Sequence, residues 1–363
     1  MPVITLLSFC MAALVMAVSA EPSAPAAIPA ELQNTINSLA SELMKQFKVP
    51  GISIAVVWDR ELAWHAEFGV KSADKPDPVT QETVFEAASM TKLLATYAAL
   101  KLAEQGRLNL DMPLWEYLGE PYIPGDEDHK LITARMVMTH VTGLPNWREG
   151  GWNTGAPLKL IFKPGEKYGY SGEGYLFFQR AMEKITGEGL DPYLKRTLMR
   201  PAGMSSSSLV WEERYAELAA AGHGGRGQVQ ADKPRYREAN AAFSLFCAPC
   251  DYARFIVEIL KTDRSGSHSL SASTIEEMLK PRLKFKEGES GVAEFRGLGW
   301  VVTPLESGNR ISHGGSNGSG FQCWSEFYPH NGRGIVIMTN SGRGSEVYRK
   351  LLEEARGIMK GMK

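Results

Sequence analysis

Glu86-Ala87-Ala88-Ser89-Met90-Thr91-Lys92-Leu93-Leu94 sets a serine and a lysine three positions apart where a helix begins. Residues i and i+3 share a helical face, so the Ser89 hydroxyl and the Lys92 ammonium can point into one cleft. Met90, Leu93, Leu94, Tyr97 and Leu100 carry the helical period on to Gly106, a residue suited to the position just past a helix end. Ser89 is therefore expected in the first turn, where unpaired N–H groups and the positive end of the helix dipole favour a developing anion. Ser-x-x-Lys alone is also common on solvated helix faces, so its meaning depends on the rest of the chain.

Upstream, Leu32, Ile36, Leu39, Leu43 and Phe47 give 31–47 the period of an amphipathic helix, stopped by Val49-Pro50-Gly51. Ile52–Val57 reads as a buried strand, Asp59-Arg60 as a turn and Leu62–Gly69 as a second strand. Downstream, a short helix is expected over Ile132–His140 with Thr133 near its N-cap. Residues 146–167 carry Gly, Pro and Trp without period, the pattern of a loop that walls a cleft. Helical spacing recurs near 173–186, 191–199, 250–261 and 272–279. From Gly297 the pattern turns to strands at 298–302, 310–312, 320–327 and 334–338, and a final amphipathic helix covers 346–359. A strand pair, a long helical insertion, more strands and a closing helix require both ends of the chain to share one sheet. The expected class is α+β, an antiparallel sheet flanked by helices, with a sheet lobe from 31–85 and 295–363 and a mainly helical lobe from 86–294.

The 363 residues are 44% hydrophobic and 22% charged with a formal net charge of −1, so no basic excess points to nucleic acid or an anionic membrane surface. Residues 1–20, MPVITLLSFCMAALVMAVSA, are uncharged and end in Val18-Ser19-Ala20, the small-residue pattern of a signal-peptide cleavage site. Their apolar run of about 16 residues is short against the roughly 20 of a membrane-spanning helix, which favours removal over anchoring and predicts a periplasmic or secreted protein without a stable membrane span. Glu21–Ala30, rich in Pro and Ala, reads as a disordered linker. Of the remaining cysteines, Cys247 and Cys250 could pair locally in an oxidising compartment, but they lack the strand–CxxC–helix setting of a redox motif. Seven scattered histidines show no metal-ligand spacing, so neither metal nor cofactor is expected.

Two further stretches carry chemistry. In Tyr168-Gly169-Tyr170-Ser171-Gly172, a tyrosine serves a serine nucleophile only as phenolate or proton relay. Ionising it at pH 7 from a free pKa near 10 costs about 4 kcal/mol, so an ammonium such as that of Lys92 has to be adjacent. Ser312-His313-Gly314-Gly315-Ser316-Asn317 lies between two predicted strands. Its glycines let backbone approach a ligand and aim N–H groups at an acyl oxygen, each donor worth about 2.7–4 kcal/mol in a transition state. Gly314–Gly318 also matches the Gly-x-Ser-x-Gly elbow, but that motif needs a helix after it and Phe321–Phe327 is strand-like, so Ser316 is not expected to be the nucleophile.

Taken in order, Val49-Pro50-Gly51, Phe85–Lys92, Thr139-His140-Val141-Thr142-Gly143-Leu144-Pro145, Pro164-Gly165 with Tyr170-Ser171, Arg200–Met204, Gly297-Leu298-Gly299-Trp300 and His313-Gly314-Gly315 resemble the serine beta-lactamase-related family. That family includes class C beta-lactamases, DD-peptidases, D-aminopeptidases and related esterases, and the likeness covers roughly residues 31–358. It implies a beta-lactamase/transpeptidase-like fold, Ser89 as the acylated nucleophile, Lys92 and Tyr170 sharing base and acid work, and the N–H groups of Ser89 and Ser316 as the oxyanion hole. His313, Gly314 and Gly315 would line the strand beside the scissile bond. The chain departs from many lactamases at two positions, with Gly172 in place of an Asn and His313 in place of a Lys. Both weaken recognition of a beta-lactam carboxylate and favour a small ester, amide or peptide; Arg343 could supply the missing cation, against the simpler role of an exposed hairpin arginine. A beta-lactamase or DD-carboxypeptidase proper, and a non-catalytic ligand-binding remnant, are the competing readings, the last opposed by the joint retention of Ser89, Lys92 and Tyr170. Nothing in the sequence sets the oligomeric state.

Overall fold

Two stretches apolar at nearly every position, Ile52–Val57 and Ile335–Met338, lie side by side in the middle of a sheet covered on both faces. The computed structural model describes residues 27–230, 235–287 and 291–361. Helix α1 (Ala30–Phe47) leads into strands β1 (Gly51–Trp58), β2 (Glu61–Ser72) and β3 (Lys75–Pro78). The chain leaves the sheet through β4 (Phe85–Glu86), a 3-10 turn at Ala88–Met90, and α2 (Thr91–Glu104). There follow α3 (Leu114–Leu118), α4 (Ala134–Thr139), α5 (Gly172–Thr186), α6 (Leu190–Leu194), α7 (Tyr215–Leu218), β5 (Phe246–Cys247), α8 (Pro249–Leu260) and α9 (Ala272–Leu279). Strands β6 (Leu283–Glu287), β7 (Ala293–Arg296), β8 (Val301–Thr303), β9 (Arg310–Asn317), β10 (Phe321–Tyr328) and β11 (Arg333–Thr339) return to the sheet, and α10 (Gly344–Lys360) closes the chain.

Among the described residues nine antiparallel strands form one sheet in the order β3-β2-β1-β11-β10-β9-β8-β7-β6. β1 pairs with both β2 and β11, so the first and last parts of the chain share it. Ile52, Ile54 and Val56, with Ile335 and Ile337, pack against Leu32, Ile36, Val347 and Leu351 of α1 and α10. Ala55 and Val57, with Val336 and Met338, face the larger core that α8 and α2 help to fill. Every residue from Thr91 to Leu100 is buried, which is why α2 shows no amphipathic stripe. Beneath α10, fully buried Glu326 accepts from Arg356 Nη2 at 2.8 Å, Trp324 Nε1 at 3.0 Å and the Tyr328 hydroxyl at 2.9 Å.

Several details differ from the sequence reading. Ser312–Asn317 is not a connection between strands but part of β9 itself, hidden because its two glycines contribute no apolar alternation. β6 lies ahead of residue 295 and β7 begins ahead of it, their half-exposed and charged residues giving little strand signal. Ser89 sits in the 3-10 turn before α2 rather than in the helix. The predicted signal peptide and residues 21–26 of the predicted linker lie outside the described residues; Ile28 is buried against the α1 cluster and Ala30 begins α1, so the linker's end is part of the fold. Cys247, Cys250 and Cys323 are buried free thiols, without the local disulfide. Among the described residues no helix is long and apolar enough to cross a membrane, and no cluster of side chains could hold a metal ion.

Candidate active site

The turn that carries Ser89 is held from both sides. The Phe85-Glu86 backbone pairs with Phe246-Cys247, the Ala87 N–H donates to Leu245 O at 2.8 Å, and Thr91 Oγ1 donates to Ala88 O at 2.6 Å while accepting the Leu245 N–H at 3.0 Å. Ala88 has φ 49°, a left-handed state uncommon for a residue with a Cβ, and the turn leaves Ser89 half-buried between fully buried neighbours. Lys92, buried in the opening of α2, reaches back so that its Nζ lies 3.4 Å from Ser89 Oγ and donates to Ala242 O at 2.7 Å.

Tyr170 arrives from the start of α5. Ser171 caps that helix by accepting the Gly174 N–H at 2.8 Å, and its own N–H donates to His140 Nδ1 at 3.1 Å. The Tyr170 hydroxyl donates to Ser89 Oγ at 2.9 Å, and its ring centroid is 4.9 Å from Lys92 Nζ. Burial pushes the Lys92 ammonium below its ordinary value, Tyr170 opposes that and Arg296 adds to it. Burial by itself pushes the Tyr170 phenol up, but the Lys92 charge, hydrogen bonds with Lys92 and Ser89, and the Arg296 charge outweigh it and hold the phenol below its ordinary value. Both groups are thus held below their ordinary values, which favours the neutral amine and the phenolate as bases beside Ser89.

The glycine motif on β9 divides between core and cleft. A Cβ on Gly315 would sit 2.1 Å from Ala87 O, so only glycine lets β9 run this close to the Ser89 turn. The next residue, Ser316, reaches the cleft beside Ser89. Gly314 packs under the Trp324 ring. His313 is buried, with Nδ1 2.7 Å from Gly314 O; burial, then the Arg296 and Lys92 charges, push its imidazole down to about 3, so it is neutral near pH 7. Neither His313 nor the two glycines line the cleft, whose walls are Ser89, Lys92, Asn146, Trp147, Trp152, Tyr170, Tyr236, Phe243 and Ser316–Ser319 around about 250 Å³. Arg343 is bound to Glu346 at 2.9 Å and lies over the Phe47 ring, so it is not the missing cation. A larger groove of about 690 Å³ near Met44, Phe68 and Arg226 contains no nucleophile paired with a base.

The structure adds residues that sequence reasoning missed. Arg296, at the end of β7, is buried with no ion-pair partner among the described residues; it donates to the Tyr168 hydroxyl at 2.9 Å, lies 5.9 Å from the Tyr170 ring centroid, and leaves Nε and Nη1 unpartnered. Glu86 Oε2 accepts from Asn317 at 2.8 Å, Ser319 at 2.9 Å and Tyr236 at 3.1 Å, joining two cleft walls to the strand just ahead of Ser89. Glu86 falls within the quoted opening stretch, but nothing in its spacing marks it; Arg296 is one arginine before Gly297 with no companion motif.

The Beta-lactamase family model matches residues 36–357. A beta-lactamase of Pseudomonas fluorescens is 24% identical over 341 residues, covering 85% of this chain and 94% of that one. Penicillin-binding protein 4 of Amycolatopsis lactamdurans is 24% identical over 341 residues, covering 88% of each. Among solved structures, the D-alanine carboxypeptidase AmpC of Burkholderia cenocepacia superposes with a TM-score of 0.76 at 20% identity, covering 90% of this chain and 99% of that one, a likeness of fold. With a family match running from α1 into α10, the chain is a serine hydrolase of the beta-lactamase family.

Proposed function

We propose that this is an exported hydrolase that forms an acyl-enzyme on Ser89 and acts on a small ester or amide, of the esterase or D-amino-acid peptidase type. The observation that carries the reading is the Ser89–Tyr170–Lys92 contact set, 2.9 Å and 3.4 Å from one oxygen, at the floor of an open cleft. With the phenol ionised, the Ser89 hydroxyl donates to Tyr170 oxygen, and Oγ attacks the acyl carbon as the proton passes to the Tyr170–Lys92 pair. The N–H groups of Ser89 and Ser316 receive the oxyanion. Collapse breaks the bond to the alcohol or amine, which leaves with that proton. Water then adds to the acyl-enzyme through the same pair, releasing the acid and restoring Ser89.

A cleft of about 250 Å³ is at the small end of ligand sites, which suits a short acyl donor. His313 is neutral and Arg343, paired with Glu346, is not among the residues that line the cleft, so β9 lacks the cation expected for a beta-lactam carboxylate. The names of the relatives keep a second reading in play, a beta-lactamase or DD-carboxypeptidase proper. Export rests on the cleavage pattern of residues 1–20. Purified full chain assayed in parallel on p-nitrophenyl esters, D-amino-acid amides, a D-Ala-D-Ala peptide and nitrocefin is expected to turn over the esters or amides fastest. Nitrocefin or D-alanine release as the dominant activity would transfer the assignment to the second reading.

A further inference from the structure

One wall of the cleft takes no part in acyl transfer: Trp147, Trp152 and Tyr236 surround Phe243 with ring centroids 5.5, 5.6 and 5.2 Å from it and interplanar angles of 87°, 62° and 76°. We infer that this wall is a subsite for a flat aromatic acyl group, an inference that rests on the Ser89 acyl-enzyme reading. Edge-to-face corners of this kind present both faces and edges to a further ring.

The wall exists because of Gly172. A Cβ there would lie 2.4–2.8 Å from three atoms of the Trp147 ring, so the indole occupies the space that any side chain at 172 would need. Its position is fixed from below. Asn146 O accepts the N–H groups of Gly172 and Glu173 at 3.1 Å each, and Arg148 donates to fully buried Glu173 at 2.7 and 2.9 Å. Asn146 Oδ1, in the same cleft wall, is committed to the Gly172 N–H at 3.0 Å. The indole therefore fills the space at 172 with an apolar ring and no hydrogen-bonding amide. A ring entering the corner gains aromatic contact on a pre-organised surface, while an acylamino group loses a hydrogen-bond partner.

The test compares kcat/KM for p-nitrophenyl phenylacetate, p-nitrophenyl acetate and the p-nitrophenyl ester of N-acetylglycine in the full chain, with fluorophosphonate labelling to count competent sites. Wild type is expected to prefer phenylacetyl over both others by about tenfold or more, the scale on which apolar pockets discriminate. Trp147→Leu, which keeps an apolar side chain without the ring, and Gly172→Asn, which displaces the indole, are each expected to lower that ratio by about tenfold among the labelled molecules. A wild-type ratio near one, a preference for the acylamino ester, or a ratio unmoved in the labelled variants overturns the subsite alone. A wild-type chain that takes no label and turns over none of the esters overturns the hydrolase reading and the subsite with it.

Discussion

Arg296 is a buried cation that donates to the Tyr168 hydroxyl, and its charge acts on Lys92 of α2, on Tyr175 of α5, on Tyr170 ahead of α5, on His140 after α4 and on His313 of β9. Both histidines are held neutral by burial and by the Arg296 and Lys92 charges, whereas the Arg296 charge lowers the Tyr170 phenol and so favours its ionised form. The base form of Tyr170 is present above its pKa and lost as pH falls through it, and the Arg296 charge helps keep that pKa low. Arg296→Gln is therefore expected to move the acid limb of the kcat/KM–pH profile to higher pH, with Arg296→Lys keeping it near the wild-type position. A limb that stays put or moves down in Arg296→Gln would contradict the role. That Ser89, Lys92 and Tyr170 meet was legible in the sequence, because the proposed nucleophile and base stand in a spacing and an ordered motif. Arg296 and Glu86 were not, because their significance comes from burial and from neighbours more than a hundred residues away.

At the scale of elements, the decisive contact is between β9 and the Ser89 turn. Helix α2 and strand β1 announce themselves by unbroken apolar runs, and α1 and α10 by one-sided periodicity, so their types and approximate limits were readable. β9 was read as a short strand followed by a loop, since two glycines and two serines do not look like a strand until β10 pairs with them, from Phe321↔Asn317 to Phe327↔Ile311. Gly315→Ala puts a methyl 2.1 Å from Ala87 O and must push β9 away from the turn. The expected result is a loss of about 10²–10³ in kcat, the cost of misplacing one oxyanion donor, with fluorophosphonate labelling slowed in parallel. Wild-type kcat in a folded Gly315→Ala protein would show that the Ser316 N–H has no part in the reaction.

At the scale of the molecule, the sheet requires the first and last quarters of the chain to pair, and α10 seals it over Glu326. The sequence order of strands, helices and strands predicted that sharing; it could not predict the buried Glu326–Arg356 pair, because a lone glutamate in Phe321–Tyr328 reads as a solvent-facing residue. Arg356→Met leaves Glu326 buried without its ion-pair partner and is expected to cost about 3–5 kcal/mol, seen as a lower denaturation midpoint, while Glu326→Gln together with Arg356→Met recovers part of it. A single Arg356→Met variant as stable as wild type would contradict this. The fold brings the side chains of 89, 92 and 170 together at one oxygen, and the most direct test of the proposed acyl-enzyme is where the acyl group lands. Full chain quenched during turnover of a p-nitrophenyl ester, or treated with a fluorophosphonate, should show by peptide-mapping mass spectrometry a single adduct on Ser89 that Ser89→Ala lacks. An adduct on Ser316, or full ester turnover by Ser89→Ala, would contradict the account.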